Sequence, residues 1–373
     1  MNTSGRRRVA GGAWILVAFM IGALASASGQ ASAATPAPTP TSAPGCPTGS
    51  LQSLIDAAPS GGTVDLGGCT IAGPGSIGKP LTLRNGTITG STGSRWASLI
   101  SINADWVTVS DIAFVGGGQV VSVFGRSHVT IARNVFTRQI GSAVELWGEG
   151  RGSSYVTVDA NRITQTATSG VSPISGDAVD SAPCTVYNDH DAFTNNVIDQ
   201  GAGSLGWFGI ELKCHSNTVI SGNTLTGGQT LVSLPDALTA TVSHNTFNLT
   251  GSAHWGVEVA HATNVSVTGN TFYGDGPGGN DHAVSLNSGS SNTAVTSNTA
   301  RDIRTLVDLG GDQTTIADNT LTNVLYVTEH GPAPGGLSAG TILAIVVMVF
   351  IMGAVALGAL LIAWRRRRSL RNR

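Results

Sequence analysis

A short strand pattern ending in Asn-x-apolar recurs through this chain, and it constrains the fold more than any other feature. Clear copies occupy residues 129–136, 156–163 and 265–272. Apolar and polar residues alternate within each copy, which indicates a half-buried β-strand. The asparagine after each strand indicates a tight turn, because asparagine tolerates the left-handed backbone region and hydrogen-bonds to nearby backbone groups.

The asparagines recur at short and similar intervals. Asn223 and Asn245 are 22 residues apart, and Asn298 and Asn319 are 21 residues apart. A period in the low twenties predicts a solenoid whose coils bury a common core. A leucine-rich repeat has a similar period, but its leucine spacing is absent here and β-branched residues dominate. If identical turns stack on one another, the asparagines can hydrogen-bond from one coil to the next. The full set is Asn134, Asn161, Asn196, Asn223, Asn245, Asn270, Asn298 and Asn319.

With these repeats the chain resembles the right-handed parallel β-helices of the pectate-lyase-like superfamily, over roughly Cys46 to Val327. Residues 50–58 have helical spacing and the first strand follows Pro59, which is similar to the capping helix and first coil of many β-helix enzymes. A cap also has a physical reason, since an open solenoid end exposes core and unpaired strand edges. The predicted fold is all-β, a right-handed parallel β-helix at residues 46–328 with an N-terminal capping helix, plus one C-terminal transmembrane α-helix.

The N-terminal segment predicts export. Residues 1–34 carry three arginines, a short apolar run and small residues of an Ala-x-Ala cleavage site, which is typical of a secretory signal peptide. An uncleaved N-terminal anchor is the alternative. Residues 35–45 alternate proline with alanine and threonine and predict an extended linker.

The C-terminal segment predicts a membrane anchor. Residues 341–364 contain no charged side chain, and at ~1.5 Å per residue a helix there is ~36 Å long, enough to cross a lipid bilayer. Four arginines at 365–368 begin a basic tail that ends at 373, and basic residues favour the cytoplasmic side. Residues 329–340 form the linker before the helix. The predicted location is the cell membrane, single-pass, with an N-terminal ectodomain outside and the C-terminus in the cytoplasm.

The four cysteines precede the predicted anchor and fit an oxidising compartment. Of three possible pairings we favour Cys46 with Cys69 and Cys184 with Cys214, which join near neighbours. No CxxC spacing occurs, so zinc is not expected. The formal net charge is −2, so there is no electrostatic case for a nucleic-acid partner.

A second repeated position predicts a row of acids on one outer face. Each repeat contains Val or Ile, a variable residue, and usually Leu or Val, and the apolar pair must point inward. The variable residue therefore points outward. This interpretation places Glu145, Asp180 and Glu211 on consecutive coils, with ~4.8 Å between neighbouring strands. Glu258 lies two coils beyond Glu211, with Ser233 between them.

Adjacent like charges destabilise a sheet, so the three acids require a reason. They could bind Ca²⁺ at Glu145, Asp180 and Glu211, meet a basic partner, or carry raised pKa values suited to acid–base catalysis. Carboxyl groups one coil apart would match a retaining glycosidase, and two coils apart an inverting one. Candidate substrate-binding residues, chosen because rings beside carboxylates suit sugars, are Trp147, Trp207, Lys213, His254 and Trp255.

Two further observations bear on function. Residues 188–191 resemble the Asp-Pro-His-Asp motif of mannuronan epimerases, which implies His190 and Asp191 as second-rank catalytic candidates, although the proline is missing and the spacing differs. The paired aspartates of polygalacturonases are absent. Against any catalytic role, an outward position on a solenoid must be polar, and Glu, Asp and Ser satisfy that without function.

The predicted function is a membrane-tethered, extracytoplasmic β-helix that engages a polysaccharide of a cell envelope or a plant-type polymer. As an enzyme it would be a polysaccharide lyase, a glycoside hydrolase or a uronate epimerase. The alternative is a non-catalytic adhesion or spacer protein. The expected partners are the glycan and, through residues 341–364, the lipid bilayer.

Overall fold

The computed structural model describes residues 45–148, 150–164, 171–178, 183–201, 207–251, 253–310 and 314–329. The predicted signal peptide, nearly all of the first linker, the transmembrane helix and the basic tail lie outside these ranges. Within them, no helix has the length and apolar character needed to cross a membrane.

One helix, α1 (Leu51–Ala57), precedes a long series of short strands. The strands, in chain order, are β1 (Gly62–Asp65), β2 (Thr70–Ala72), β3 (Gly75–Ile77), β4 (Leu81–Gly90), β5 (Ile100–Ile102), β6 (Val107–Gly116), β7 (Val121–Phe124), β8 (Thr130–Ala132), β9 (Val135–Thr137), β10 (Val144–Trp147), β11 (Thr157–Asp159), β12 (Arg162–Thr164), β13 (Ile174–Asp177), β14 (Asn188–Asp189), β15 (Ala192–Thr194), β16 (Val197–Asp199), β17 (Phe208–Lys213), β18 (His215–Ser216), β19 (Thr218–Ser221), β20 (Thr224–Thr226), β21 (Thr230–Pro235), β22 (Leu238–Ser243), β23 (Thr246–Asn248), β24 (Trp255–Ala260), β25 (Thr263–Thr268), β26 (Thr271–Tyr273), β27 (His282–Leu286), β28 (Thr293–Thr296), β29 (Thr299–Leu309), β30 (Thr314–Ala317) and β31 (Thr320–Glu329).

All strands except β14 and β18, which pair with each other, stack in parallel as three sheets, so the predicted parallel β-helix is confirmed. Sheet A contains β1, β8, β11, β15, β19, β22, β25, β28, β30 and the first halves of β4 and β6. Sheet B contains β2, β9, β12, β16, β20, β23, β26, the second halves of β4 and β6 and the starts of β29 and β31. Sheet C contains β3, β5, β7, β10, β13, β17, β21, β24, β27 and the ends of β29 and β31.

Alternation along each short strand sends one residue into the core shared by all coils. In β9, Phe136 is fully buried between exposed Val135 and half-buried Thr137. Its ring stacks on Phe114 of the coil before, with centroids 5.0 Å apart. Full burial of such a side chain contributes about 1.5–3 kcal/mol, and the coils repeat this contribution along the solenoid.

The asparagines of the repeat form a buried hydrogen-bonded row between sheets A and B, as predicted. Asn161 Nδ2 donates to Asn196 Oδ1 at 3.0 Å, and the Asn161 backbone N–H donates to the same oxygen. Asn161 Nδ2 also donates to Ile131 O in the preceding coil. The expected backbone conformation was wrong, because the left-handed residue is the one before each asparagine, such as Ala160 at φ 52°.

The N-terminal cap is confirmed at Leu51–Ala57. The Ser50 hydroxyl accepts a hydrogen bond from the Ser53 backbone N–H, which satisfies one free donor at the helix start. Leu51 and Ile55 are buried against Gly75 of β3. The Gln52 side chain bonds both backbone groups of Ser76, so the first edge of sheet C is paired by a side chain.

Both favoured disulfides are present. Cys46 bonds Cys69 and ties the segment before α1 to the first coil. Cys184, which lies in the longest interval between two repeat asparagines, bonds Cys214 directly before β18.

Candidate functional site

The variable positions of the strands in sheet C form one straight row on its outer surface, here called the outer row. Parallel pairing places these residues directly beside one another, and serine alternates with an acid along the row. Because neighbouring strands are ~4.8 Å apart, successive acids are ~9.6 Å apart. In order the row runs Ser122, Glu145, Ser175, Glu211, Ser233, Glu258, Ser285 and Asp308.

This register corrects the predicted acidic triplet. Ser175, and not Asp180, lies between Glu145 and Glu211. Asp180 itself lies outside the described residues. From Glu145 to Asp308 the alternation spaces the carboxylates two strands apart, which reduces the like-charge repulsion expected of a continuous acidic row. Beyond Asp308 the next residue in register is a second acid, Glu329.

A buried histidine explains why sequence reasoning chose the wrong register. In β13 the inward position after Ser175 is Gly176, where the other coils mostly carry leucine or valine. A Cβ atom on Gly176 would lie 2.5 Å from His215 Nε2, so only glycine fits beside this imidazole. The pattern Ile-Ser-Gly was therefore less similar to the repeat than Val-Asp-Ser five residues later.

The first part of the outer row lies in a pocket of about 190 Å³. Its floor is sheet C, and its walls come from the turns that enter the strands. The lining side chains that matter here are Arg95, Trp96, Ser142, Glu145, Trp147, Ser172, Ser175, Asp177 and Glu211.

Glu145 is the most buried acid of this pocket, with 5% of its surface exposed. Burial raises the pKa of Glu145 to about 7, because the ionised form loses water, and the charge of Asp177 adds to the rise. Hydrogen bonds from Ser142 and Ser175 act in the opposite direction. A carboxyl group with a pKa near 7 can hold and release a proton at neutral pH.

Glu211 lies two strands from Glu145 and is only half buried. Burial raises its pKa as well, while the Ser172 hydroxyl, which donates to Glu211 Oε2 at 2.8 Å, lowers it. Asp177 is in register with Trp147 on one side and Lys213 on the other, so both predicted binding residues border the same acid.

The spacing of the two glutamates distinguishes the retaining from the inverting geometry of glycoside hydrolysis. A retaining glycosidase needs carboxyl groups ~5 Å apart, and neighbouring strands would provide that distance. Glu145 and Glu211 are two strands apart, ~9.6 Å by strand spacing, near the ~6.5–9.5 Å of inverting enzymes. This separation is therefore compatible with the inverting geometry and not with the retaining one.

A comparison with protein families identifies the architecture. The family described as right handed beta helix region matches residues 98–272 and 185–326, which together make more than half of the chain. The chain belongs to the right-handed β-helix family. A comparison with curated protein sequences found no match.

Solved structures support the same architecture for this β-helix protein. Two structures of PfbA, a surface adhesin of Streptococcus pneumoniae, match with a TM-score of 0.55 at 12% and 13% identity. They cover 74% and 78% of this chain, and 86% and 98% of the adhesin chains. An alginate lyase from Paenibacillus matches with a TM-score of 0.52 at 15% identity, over 73% of this chain and 96% of the lyase. At these identities the likeness shows the fold.

The pocket described above extends along the outer row as far as Glu211, and the later part of the row lies outside it. Glu258 is half buried, and its two carboxylate oxygens accept hydrogen bonds from Ser233 and Asn287. Trp255 and His254 are half buried near it, with their rings edge to face at 5.8 Å. The predicted site thus divides into a pocket around Glu145 and Glu211 and an open stretch around Glu258. Trp207, 53% exposed, precedes β17 between them.

The epimerase-like residues do not join the pocket. Asp191 is buried, and its Oδ1 accepts the Val156 backbone N–H at 2.8 Å. His190 is exposed at the corner between sheets C and A, where it pairs with Asp189 at 2.6 Å. Asn188, the first residue of the segment, bonds the buried His215 at 3.0 Å.

Sequence reasoning missed a stack of exposed rings at that corner. Four side chains from successive coils stack face to face with centroids 3.9–5.1 Å apart, and all four residues have left-handed backbones near φ 60°. The signal was an aromatic or histidine residue just before four successive strands of sheet A, β6, β8, β11 and β15. The stack consists of Trp106, His128, Tyr155 and His190.

Serine separates Glu145 from Glu211 in the row, and Asp180 lies outside the described residues, so the Ca²⁺ triplet stays a prediction. No group of three His, Cys, Asp or Glu side chains suited to a metal ion occurs in the described part of the chain. The sequence also failed to single out Asp177, Ser142, Ser172 and the Arg95–Trp96 wall. These residues lie outside the repeated position, and Arg95 and Trp96 come from the turn before β5, so periodicity could not reveal them.

Proposed function

We propose that this β-helix protein binds a polysaccharide along sheet C and hydrolyses it in the pocket between Glu145 and Glu211. The observation that carries the proposal is Glu145, a carboxyl group buried in a pocket on the outside of a solenoid, where burial raises its pKa to about 7. An outward side chain serving only solubility has no need of a covered position.

In the proposed reaction Glu145 donates its proton to the glycosidic oxygen as the bond from that oxygen to the anomeric carbon breaks. Glu211 removes a proton from a water molecule whose oxygen forms the new bond to the anomeric carbon from the opposite side. The hydroxyl of Ser172 orients the Glu211 carboxylate. The sugar product has inverted configuration, and the enzyme ends with Glu145 ionised and Glu211 protonated, from which one proton transfer restores the start.

The aromatic side chains around the pocket support a sugar as the substrate. Trp147 is half buried at the floor, and Trp96 is 63% exposed on the wall with the Arg95 guanidinium 4.6 Å from its ring centre. Indole rings offer apolar faces on which sugar rings stack. Among solved structures of similar fold, one is a surface adhesin and one an alginate lyase, which is consistent with an extracellular glycan as ligand.

The proposal includes the location. The signal peptide at residues 1–34 and the membrane helix at residues 341–364 would present the β-helix outside the cell on a single anchor. Two disulfides in the described residues are consistent with an oxidising compartment.

The test is product formation by the full-length chain in detergent. Alginate, polygalacturonate and a neutral β-glucan are incubated with wild-type protein and with Glu145→Gln, and reducing ends, unsaturated products and anomeric configuration are measured. We expect inverted reducing ends from one polymer with the wild type, and a loss of about 100-fold or more with Glu145→Gln. Unsaturated products would replace hydrolysis by lyase chemistry, and full activity of Glu145→Gln would refute the site.

Binding without turnover is the second candidate, and one observation favours it. Glu145, Glu211 and Glu258 each accept hydrogen bonds from neighbouring serines, so the outer row also satisfies itself as a static polar surface. Saturable binding of a polymer with no product from any of the three would favour this candidate.

A further inference from the structure

Along the open stretch, three side chains have a buried polar atom without a hydrogen-bond partner among the described residues: His254, His282 and Asp308. His282 lies on the outer side of sheet C, because it is in register with half-buried Trp255 and with Thr305, whose hydroxyl donates to the Glu329 carboxylate. Although it faces outward, His282 is only 7% exposed. Its Nδ1 has no hydrogen-bond partner among the described residues, and neither has Oδ1 of Asp308.

The neighbouring acids are already satisfied. Glu258 is held by Ser233 and Asn287, and Glu329 by Arg304 and Thr305. His282 and Asp308 therefore differ from these two acids, because each has a buried atom without a hydrogen-bond partner among the described residues.

His282 and Asp308 lie on the adjacent strands β27 and β29, where His282 is in register with Thr305 and Asp308 with Ser285. The negative charge of Asp308 favours the protonated form of His282 more than any other nearby charge, while burial of the ring lowers the His282 pKa. Asp281 and Glu329 also favour the charged form, and Arg304 opposes it. A buried polar atom left unpaired is destabilising, and a ligand with hydroxyl groups removes that destabilisation by hydrogen-bonding to it.

We infer that Trp255, His282 and Asp308 form a second carbohydrate subsite, which binds a distant stretch of the polymer held in the pocket. The indole of Trp255 provides an apolar surface for a sugar ring, and His282 Nδ1 and Asp308 Oδ1 bond its hydroxyl groups. Five strand steps separate Glu145 from His282, so the subsite lies ~24 Å along sheet C. This inference rests on the proposed function and adds that the substrate is a long chain bound at an internal position.

The experiment compares a polymer with a short fragment of it. Binding of alginate and of a neutral β-glucan, each as full polymer and as trisaccharide, is measured on the full-length chain in detergent. We expect Trp255→Ala and Asp308→Asn to weaken polymer binding about tenfold. Trisaccharide binding should change less than about twofold, because a trisaccharide is too short to reach both places.

Trp106→Ala is the matched control, since Trp106 is 64% exposed in the ring stack at the corner between sheets C and A and is not part of the outer row. It should leave both affinities unchanged. Wild-type polymer binding in both variants, an equal loss for polymer and trisaccharide, or no binding of any probe by the wild type would overturn the subsite. If the expected pattern appears without any turnover, the subsite stands and the proposed hydrolysis falls.

Discussion

The two halves of the outer row carry the same alternation of serine and acid and yet present different chemistry. In the first half Glu145 is 5% exposed beneath a wall from the turn at Arg95 and Trp96, and burial raises its pKa to about 7. In the second half Glu258 is half exposed to water, and Ser233 and Asn287 hold both of its oxygens. The strands position the acids, and the turns decide whether water reaches them.

The different burial of Glu145 and Glu258 shows how one coil of a repeated fold can acquire a chemical property that the others lack. A solenoid gives each coil the same backbone, so an acid in the row has the same orientation everywhere. A turn that folds over one coil changes the local dielectric, and this raises the pKa of an acid beneath it, as at Glu145.

The largest effect should come from the second pocket acid. Glu211→Gln should lower turnover of the polymer by about 100-fold, because glutamine cannot take a proton from water. Glu258→Gln, the matched change in the open half, should alter kcat less than about threefold. Equal losses would show that the whole row acts together and that the two halves do not differ in function.

The next effect concerns the scaffold beneath both halves. Asn196→Ala and Asn270→Ala each remove a buried side-chain amide. Its oxygen accepts two hydrogen bonds from the asparagine of the preceding coil, and its nitrogen donates to a backbone carbonyl and to the asparagine of the next coil. We expect each to lower the free energy of unfolding by about 3–4 kcal/mol in urea. Clearly unequal losses of unfolding free energy would show that the two halves differ in the stability of the scaffold and not in the turns.

The third effect is on stability against pH. The unfolded Glu145 ionises near 4.5 and the folded one near 7, so between these values the folded state holds the extra proton and stability falls as pH rises. The loss attributable to Glu145 is about 3 kcal/mol, complete near pH 7. His215 acts in the opposite sense, because burial lowers its pKa to about 3 and stability from this group falls as pH drops below 6.5.

Urea unfolding of wild type and Glu145→Gln across pH 4–8 isolates the Glu145 contribution, since His215 and the other buried groups are common to both. The difference between the two proteins should fall across that range. A constant difference would show that Glu145 ionises normally and that the pocket does not differ from the open half.

The smallest effect should come from the serines. Ser175 hydrogen-bonds Glu145 and lowers its pKa, so Ser175→Ala should raise it and move the basic limb of the pH–rate profile upward. Ser285→Ala, at the equivalent position between Glu258 and Asp308, should leave the profile unchanged. A downward movement, or the same movement in both variants, would contradict the role of Ser175.

Much of the fold could be predicted from residues that act locally. The apolar alternation around Phe136 and Phe272 and the recurring asparagines specify strand, turn and period without knowledge of distant contacts. The cap at Leu51–Ala57 and both disulfides followed from the same kind of reasoning. The candidate site was predicted in part, since Glu145, Trp147, Glu211 and Lys213 do lie together.

The repeat was enough to predict a parallel β-helix with polar residues in line on one outer face, because a repeat of short period specifies both stacking and direction. The folded structure placed Ser175 in the row instead of Asp180, because a glycine had to accommodate the buried His215. It also decided that Glu145 and not Glu258 is covered. Burial depends on a turn from another coil, and no local pattern records which acid that turn will cover.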